Sequence, residues 1–185
     1  MKCGSGAAKH LLSRYQPADG GEAADVAQAL AMVEGTPDPW SRDAPLHLTA
    51  SAVVVHPETG RVLLRWHERM ESWLQVGGHG DPGEDDPVAV ALREGREETG
   101  LTDLRPWPTA ELRHVVVVPV PANTREPAHE HADLRFVLAT AAPAQARPEK
   151  PTAPLRWLSL PDALDAVAED NLRETLVRTG RLLGS

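Results

Sequence analysis

Two spacings of apolar residues alternate along the chain. Near the N-terminus, AAKHLLSRY and EAADVAQALAMVE carry helical spacing, with ADGG as the break between them. TPDPWSRDAP follows as a Pro/Asp turn region, so residues 1–45 read as a helical extension or first layer. From Leu46 the period changes. LHLTASAVVV reads as a strand ending at the turn residues HPETG, and RVLLRW as the second arm of a hairpin. ESWLQV is a short strand leading into glycines, and Gly77 to Glu84 reads as a loop that approaches a ligand. Residues 87–99 are helical. LRHVVVVPV is β-branched and reads as a buried strand, PANTREPAHEHA as a long polar loop, and DLRFVLAT as another strand. APAQARPEKPTAP is an exposed connection. LRWLSL is a last strand, and PDALDAVAEDNLRETLVRTGRLL is helical with Pro161 in its first turn. No internal repeat is visible. This order predicts a sheet covered by helices, broadly α/β or α+β.

A length of 185 residues suits one domain with a small extension: 1–45 helical, 46–185 the main domain. Hydrophobic residues make up 41% of the chain, enough for a real core, yet no apolar run approaches the roughly 20 residues of a membrane span. MKCGSGAAKHLL lacks a secretory apolar stretch, so a cytoplasmic protein without a membrane partner is expected. Cys3 is the only cysteine, which excludes an intrachain disulfide and a cysteine-based zinc site; it reads as a residue of a disordered terminus. A net charge of -8 repels the backbone of nucleic acid, so no nucleic-acid partner is expected. A phosphate-bearing ligand would need a cation or local arginines to bridge it.

The helix at 87–99 carries the candidate chemistry. Asp86 suits its N-cap, Pro87 its first position, and Gly100 the left-handed residue after its end. At about 100° per residue, Val88, Ala91, Leu92, Gly95 and Thr99 share one face. Glu94, Glu97 and Glu98 share another and face outward, flanked by Arg93 and Arg96. A mid-helix glycine costs about 1 kcal/mol relative to alanine, which close packing on a sheet would explain. Like charges at this spacing cost a few tenths of a kcal/mol per pair. A solvated acidic face is the plain reading. Three features favour a cation site: the acids are not spread around the helix, GGHGDPGE precedes them directly, and bound Mg²⁺ removes the repulsion.

The same residues resemble a known signature. Gly78, Glu84 after five residues, and Arg93-Glu94-Gly95-Arg96-Glu97-Glu98-Thr99-Gly100-Leu101 are similar to the Nudix box. The flanks WLQVGG and LRWLSLPDAL also look like a Nudix domain, and the resemblance covers about residues 46–170. Two departures stand out. Eight residues rather than seven separate Glu84 from Arg93, the extra one lying in GEDDP, so either Glu84 or Asp85 takes the place of the first Glu. Gly95 replaces the usual apolar residue.

The resemblance implies an α+β Nudix fold, an α/β/α sandwich with a mixed sheet between helices. It implies metal-dependent cleavage by water of a phosphoanhydride in a nucleoside diphosphate linked to another group, with Mg²⁺ or Mn²⁺ as cofactor. Glu94, Glu97 and Glu98 would be metal ligands, joined by the backbone carbonyl of Gly77. Glu94 or Glu98 would act as, or orient, the general base. Arg93 would fix carboxylate orientation, and Glu84 would support the site from the loop. The alternative is a non-catalytic Nudix-fold nucleotide-binding or sensor module; the full set of helix acids favours the enzyme. A related isomerase chemistry uses a core cysteine, which Cys3 does not supply.

Other residues read two ways. His129, Glu130, His131 and Asp133 look like a ligand cluster or a polar loop running into a strand; nothing else in the sequence completes a zinc set, which favours the loop. That loop would border the cleft, with Glu130 supplying the extra acid some relatives use. His79 either reaches a phosphate or packs in its loop. Glu84, His79 and Glu130 are thus the substrate-binding candidates. Trp40, Trp66, Trp73, Trp107 and Trp157 read chiefly as packing. The sequence does not choose among nucleoside triphosphates, nucleotide sugars and dinucleotides. Nor does it say whether residues 1–45 cover the cleft or form a homodimer contact.

Overall fold

β1 (Leu46–His56) is the axis of an eight-stranded mixed sheet. In the computed structural model, residues 6–184 are described, apart from 123 and 125; Cys3 therefore lies outside the described residues. β1 is buried along almost its whole length, which suits its run of Val and Ala. One edge pairs in parallel with β7 (His129–Ala139), from Leu46 opposite Glu130 to Val55 opposite Ala139. The other edge is divided. Thr49–Ala52 pair with β4 (Val76–His79), and Val54–His56 pair with β2 (Arg61–His67). β2 and β4 therefore diverge from a common neighbour and leave a gap between them. β2 continues to β3 (Ser72–Leu74) and β8 (Leu155–Leu158), while β7 carries β5 (Arg105–Pro106) and β6 (His114–Val120).

Helices cover both faces. Leu48, Ala50, Ala52 and Val54 of β1 alternate toward one face with Ala132, Leu134, Phe136 and Leu138 of β7. There they meet α1 (Gly6–Arg14), α2 (Gly20–Gly35) and α3 (Pro87–Thr99). On the other face Val53, Val55, Val62, Leu64, Val137 and Ala139 meet α4 (Leu160–Ala166) and α5 (Asp170–Leu183). The fold is an α/β/α sandwich of the α+β class. No helix among the described residues is long and apolar enough to cross a membrane.

Four expectations shift. Gly77–His79 lie in a strand rather than a loop, because β1 offers them pairing partners. β7 begins at His129, inside the expected loop, because its parallel register with β1 extends to Leu46. β6 is less buried than its β-branched run implied, since it pairs with β7 alone, although α2 packs against it. The C-terminal helical segment is two helices. Arg173 closes the break by donating to the carbonyls of Leu164 and Val167, both at 2.6 Å.

The N-terminal helices are tied to the sheet through Glu22. Asp19 caps α2 by accepting from the Glu22 N–H at 2.9 Å. The buried Glu22 carboxylate accepts from Ala18 N at 2.6 Å, Val115 N at 3.2 Å, Arg178 Nη1 at 2.8 Å and the Tyr15 hydroxyl. Burial opposes its charge, but these donors outweigh burial and hold its pKa at about 2, against an ordinary 4.5. The carboxylate's contribution to stability is therefore complete above pH 4.5 and lost as pH falls toward 2. Glu22→Gln is expected to cost roughly 3 kcal/mol in denaturant unfolding at neutral pH, with the difference from wild type shrinking across that acid window.

Candidate active site

The geometry starts from two glycines. A Cβ on Gly77, whose φ is +148°, would collide with Ser51 of β1. A Cβ on Gly78 would lie 2.5 Å from Glu94 Oε1. The bare backbone of β4 thus lets the carboxylates of α3 come down onto the sheet. α3 is bounded as its sequence implies. Asp86 accepts from Val88 N at 3.0 Å, Pro87 opens the helix, and Gly100 closes it at φ +67°. Gly95 permits the close approach, since a Cβ there would lie 3.0 Å from Leu104 Cδ1.

The helix is rotated relative to the expected face. Val90 is buried, whereas Val88 and Leu92 are only partly so. Glu94 and Glu98 do not face outward. Their side chains are 16% and 13% exposed against β4, and only Glu97, at 55%, faces solvent. The glycines supply the room that an apolar-face projection cannot show.

Arg93 organises these acids. Its Nη1 donates to Glu94 Oε1 and Glu97 Oε2, both at 3.0 Å. Its Nε and Nη2 donate to Glu84 at 2.9–3.1 Å, and Nη2 also donates to the His79 carbonyl at 2.7 Å. Of the two acids, Glu84 is the one that meets Arg93. It holds Arg93 and accepts from Asp81 N at 2.8 Å, so it supports the site instead of lining the cleft. The Arg93 hydrogen bonds hold its carboxyl below the usual range.

Glu98 reaches the other way, into the gap between β2 and β4. It accepts from Gly77 N at 3.0 Å and lies 3.3 Å from Arg65 Nη1. Burial raises its pKa to about 7, with Arg65 and the Gly77 N–H offsetting part of that rise. Burial also raises Glu94. Half-buried carboxylates beside a glycine cradle fit a hard divalent cation, which takes oxygen donors and adds to the counter-charge of Arg65 and Arg93.

Beside Glu98 opens a cleft of about 460 Å³. Arg42, Arg65 and Arg135 line it, local cations in a chain of net charge -8. Arg65 and Arg135 were not singled out in the sequence, since each sits inside a run that reads only as strand. Asp133 is committed elsewhere, accepting from Thr49 Oγ1 at 2.9 Å, Ser51 Oγ at 2.8 Å and Arg135 Nε at 2.8 Å.

Two other candidates are placed differently from expectation. Glu130 lies on the opposite face of β7 from His129 and His131, and accepts from Gln28 of α2 at 3.2 Å; it does not join the helix acids. His79 lines the cleft but packs against other histidines there. Its Nε2 lies 3.2 Å from His47 Nε2 and 3.2 Å from His131 Nε2. Burial is the main cause holding His79 near pKa 3 and His131 near 4, and it lowers His47 as well. His47 carries no signal of its own in the sequence, because it stands alone at the start of a strand, 32 residues from His79 along the chain.

A NUDIX domain model matches residues 45–178, more than half of the chain. Among solved structures, a NUDIX-family hydrolase from Clostridium perfringens is 24% identical over 75% of this chain and 96% of its own, with a TM-score of 0.56. A C. elegans Ap4A hydrolase in a binary complex is 20% identical over 74% and 97%, with a TM-score of 0.58. The E. coli dihydroneopterin triphosphate pyrophosphohydrolase is 19% identical over 72% and 92%, with a TM-score of 0.54. At these identities the likeness is one of fold. No curated protein matches the chain.

The Gly78 cradle is directly testable. Gly78→Ala would push the Glu94 carboxylate off Arg93, so Mn²⁺ affinity measured by calorimetry is expected to fall by about 10–100-fold while the far-UV spectrum is unchanged.

Proposed function

The chain belongs to the NUDIX family, and on that premise we propose that it is a pyrophosphohydrolase of a nucleoside diphosphate linked to another group. The observation that carries this reading is the meeting of Glu98 with an arginine-lined cleft, next to carboxylates that Arg93 holds together.

Glu94, Glu97 and Glu98, with the Gly77 carbonyl, would hold Mg²⁺ or Mn²⁺. When bound, such a cation neutralises diphosphate charge and acidifies water. The chain's own residues do the rest. Arg42, Arg65 and Arg69 attract and orient the phosphates, while the buried Arg135 is held by Asp133, Asn171 and Thr175. Arg93 keeps Glu94 and Glu97 in one orientation, a positioning role, since its donors are engaged by four protein groups. Glu98, the helix acid on the cleft wall, accepts the proton of the attacking water. Positioning and charge stabilisation of this kind account for most of the barrier lowering in phosphoryl transfer.

The neighbouring folds named for Ap4A and for dihydroneopterin triphosphate make dinucleoside polyphosphates and nucleoside triphosphates the first compounds to test, beside nucleotide sugars. The assay is a screen of such compounds with Mg²⁺, detecting released monophosphate or phosphate. On the substrate found, Glu97→Gln and Glu98→Gln are each expected to lower turnover by about 10²–10⁴-fold with unchanged thermal unfolding. Near-normal turnover in both variants would overturn the assignment. A wild-type protein that binds these compounds tightly and releases no product would instead be a sensor module.

A further inference from the structure

Four histidines from three strands converge on the cleft wall away from the α3 carboxylates: His47 on β1, His79 on β4, and His129 and His131 on β7. The ligand nitrogens of His47, His79 and His131 all lie within 4.8 Å of one another. Three Nε2···Nε2 contacts link the four rings, at 3.2 Å (His47–His79), 3.2 Å (His79–His131) and 3.1 Å (His131–His129).

Hydrogen bonding does not account for all three. Each imidazole nitrogen has a single in-plane site, holding either a proton or a lone pair. His79 Nε2 and His131 Nε2 each face two neighbours, so at most two of the three contacts are hydrogen bonds. When His47 pairs with His79 and His131 with His129, the His79–His131 contact has none. A shared cation satisfies it. Around a tetrahedral Zn²⁺ with Zn–N of about 2.0–2.1 Å, ligand nitrogens sit about 3.3–3.4 Å apart, close to the 3.2 Å of the His47–His79 and His79–His131 pairs, with His47 and His131 within 4.8 Å.

The surroundings fit ligands too. His47 donates its Nδ1 proton to the Ala44 carbonyl at 3.0 Å, which leaves its Nε2 lone pair facing the cluster. His129 does the same with the Pro127 carbonyl at 2.9 Å. A carbonyl behind the ring is the usual partner of a metal-bound histidine.

We propose that His47, His79 and His131 form a binding site for a borderline-soft divalent cation of the Zn²⁺ class, separate from the carboxylate site and opening onto the same cleft. Imidazole favours Zn²⁺, Co²⁺ or Ni²⁺ over Mg²⁺, whereas the α3 carboxylates favour Mg²⁺ or Mn²⁺, so donor chemistry sorts two cations between two sites. His129 Nε2 lies 3.1 Å from His131 Nε2, beside the three ligands. The site joins β1, β4 and β7 at one end of the sheet, and it stands whether or not the chain hydrolyses a nucleotide.

The test uses the full chain, stripped with chelator and titrated with Co²⁺ in excess Mg²⁺ while the visible absorption of the cobalt is followed. About one Co²⁺ per chain should bind with the strong visible bands of a four-coordinate nitrogen site, and Zn²⁺ but not Mg²⁺ should displace it. His79→Gln and His131→Gln should each weaken Zn²⁺ binding by at least about 100-fold, and Glu97→Gln should leave it unchanged. If a histidine variant does not fold, wild type decides: Zn²⁺ should shield His79 and His131 from diethyl pyrocarbonate in excess Mg²⁺. Displacement by Mg²⁺, loss of binding in Glu97→Gln with retention in the histidine variants, or absence of shielding would each overturn the proposal.

Discussion

One guanidinium holds the candidate active site in register. Arg93 projects from the middle of α3 and meets the Glu84 carboxylate from the loop, the His79 carbonyl from β4, and Glu94 and Glu97 from its own helix. A planar fork with five donors can serve these directions at once, whereas an ammonium on a flexible stem cannot. The spacing of the acids along α3, the end of β4 and the course of the loop are mutually dependent through this group. Remove it, and Glu94, in a half-buried place, and the exposed Glu97 lose their shared counter-charge.

The divided edge of β1 places the chemistry. β4 occupies its first half and β2 its second, and the strands diverge. Glu98 enters the resulting gap from one side of the sheet, between Gly77 and Arg65. The histidines gather at the start of β1, where β4 and β7 both pair with it. The helix carboxylates and the imidazoles come from different elements, although one cleft serves both and β4 borders each.

Local chemistry made α3 legible in the sequence. Its bounds follow from Asp86, Pro87 and Gly100, which act within a few residues of themselves. The Glu84–Arg93 pairing agrees with the family resemblance despite the extra residue, because the exposed turn around Asp85 absorbs it. What stayed hidden depends on pairing between distant strands. The rotation of α3 that brings Glu94 and Glu98 onto β4 is set by contacts of Gly77, Gly78 and Gly95 with other elements. His47 becomes a neighbour of His79 and His131 only through the registers of β1 with β4 and β7. Glu130 looked like a site residue beside two histidines, but strand alternation sends it to the other face.

The central claim is that α3 and β4 together hold a divalent cation. Electron paramagnetic resonance of free Mn²⁺ tests it without knowledge of the substrate. Titrating wild-type protein should deplete the free Mn²⁺ signal saturably, and a variant carrying both Glu94→Gln and Glu98→Gln, folded by circular dichroism, should leave the signal intact. Equal depletion by both proteins, or by neither, would contradict the account.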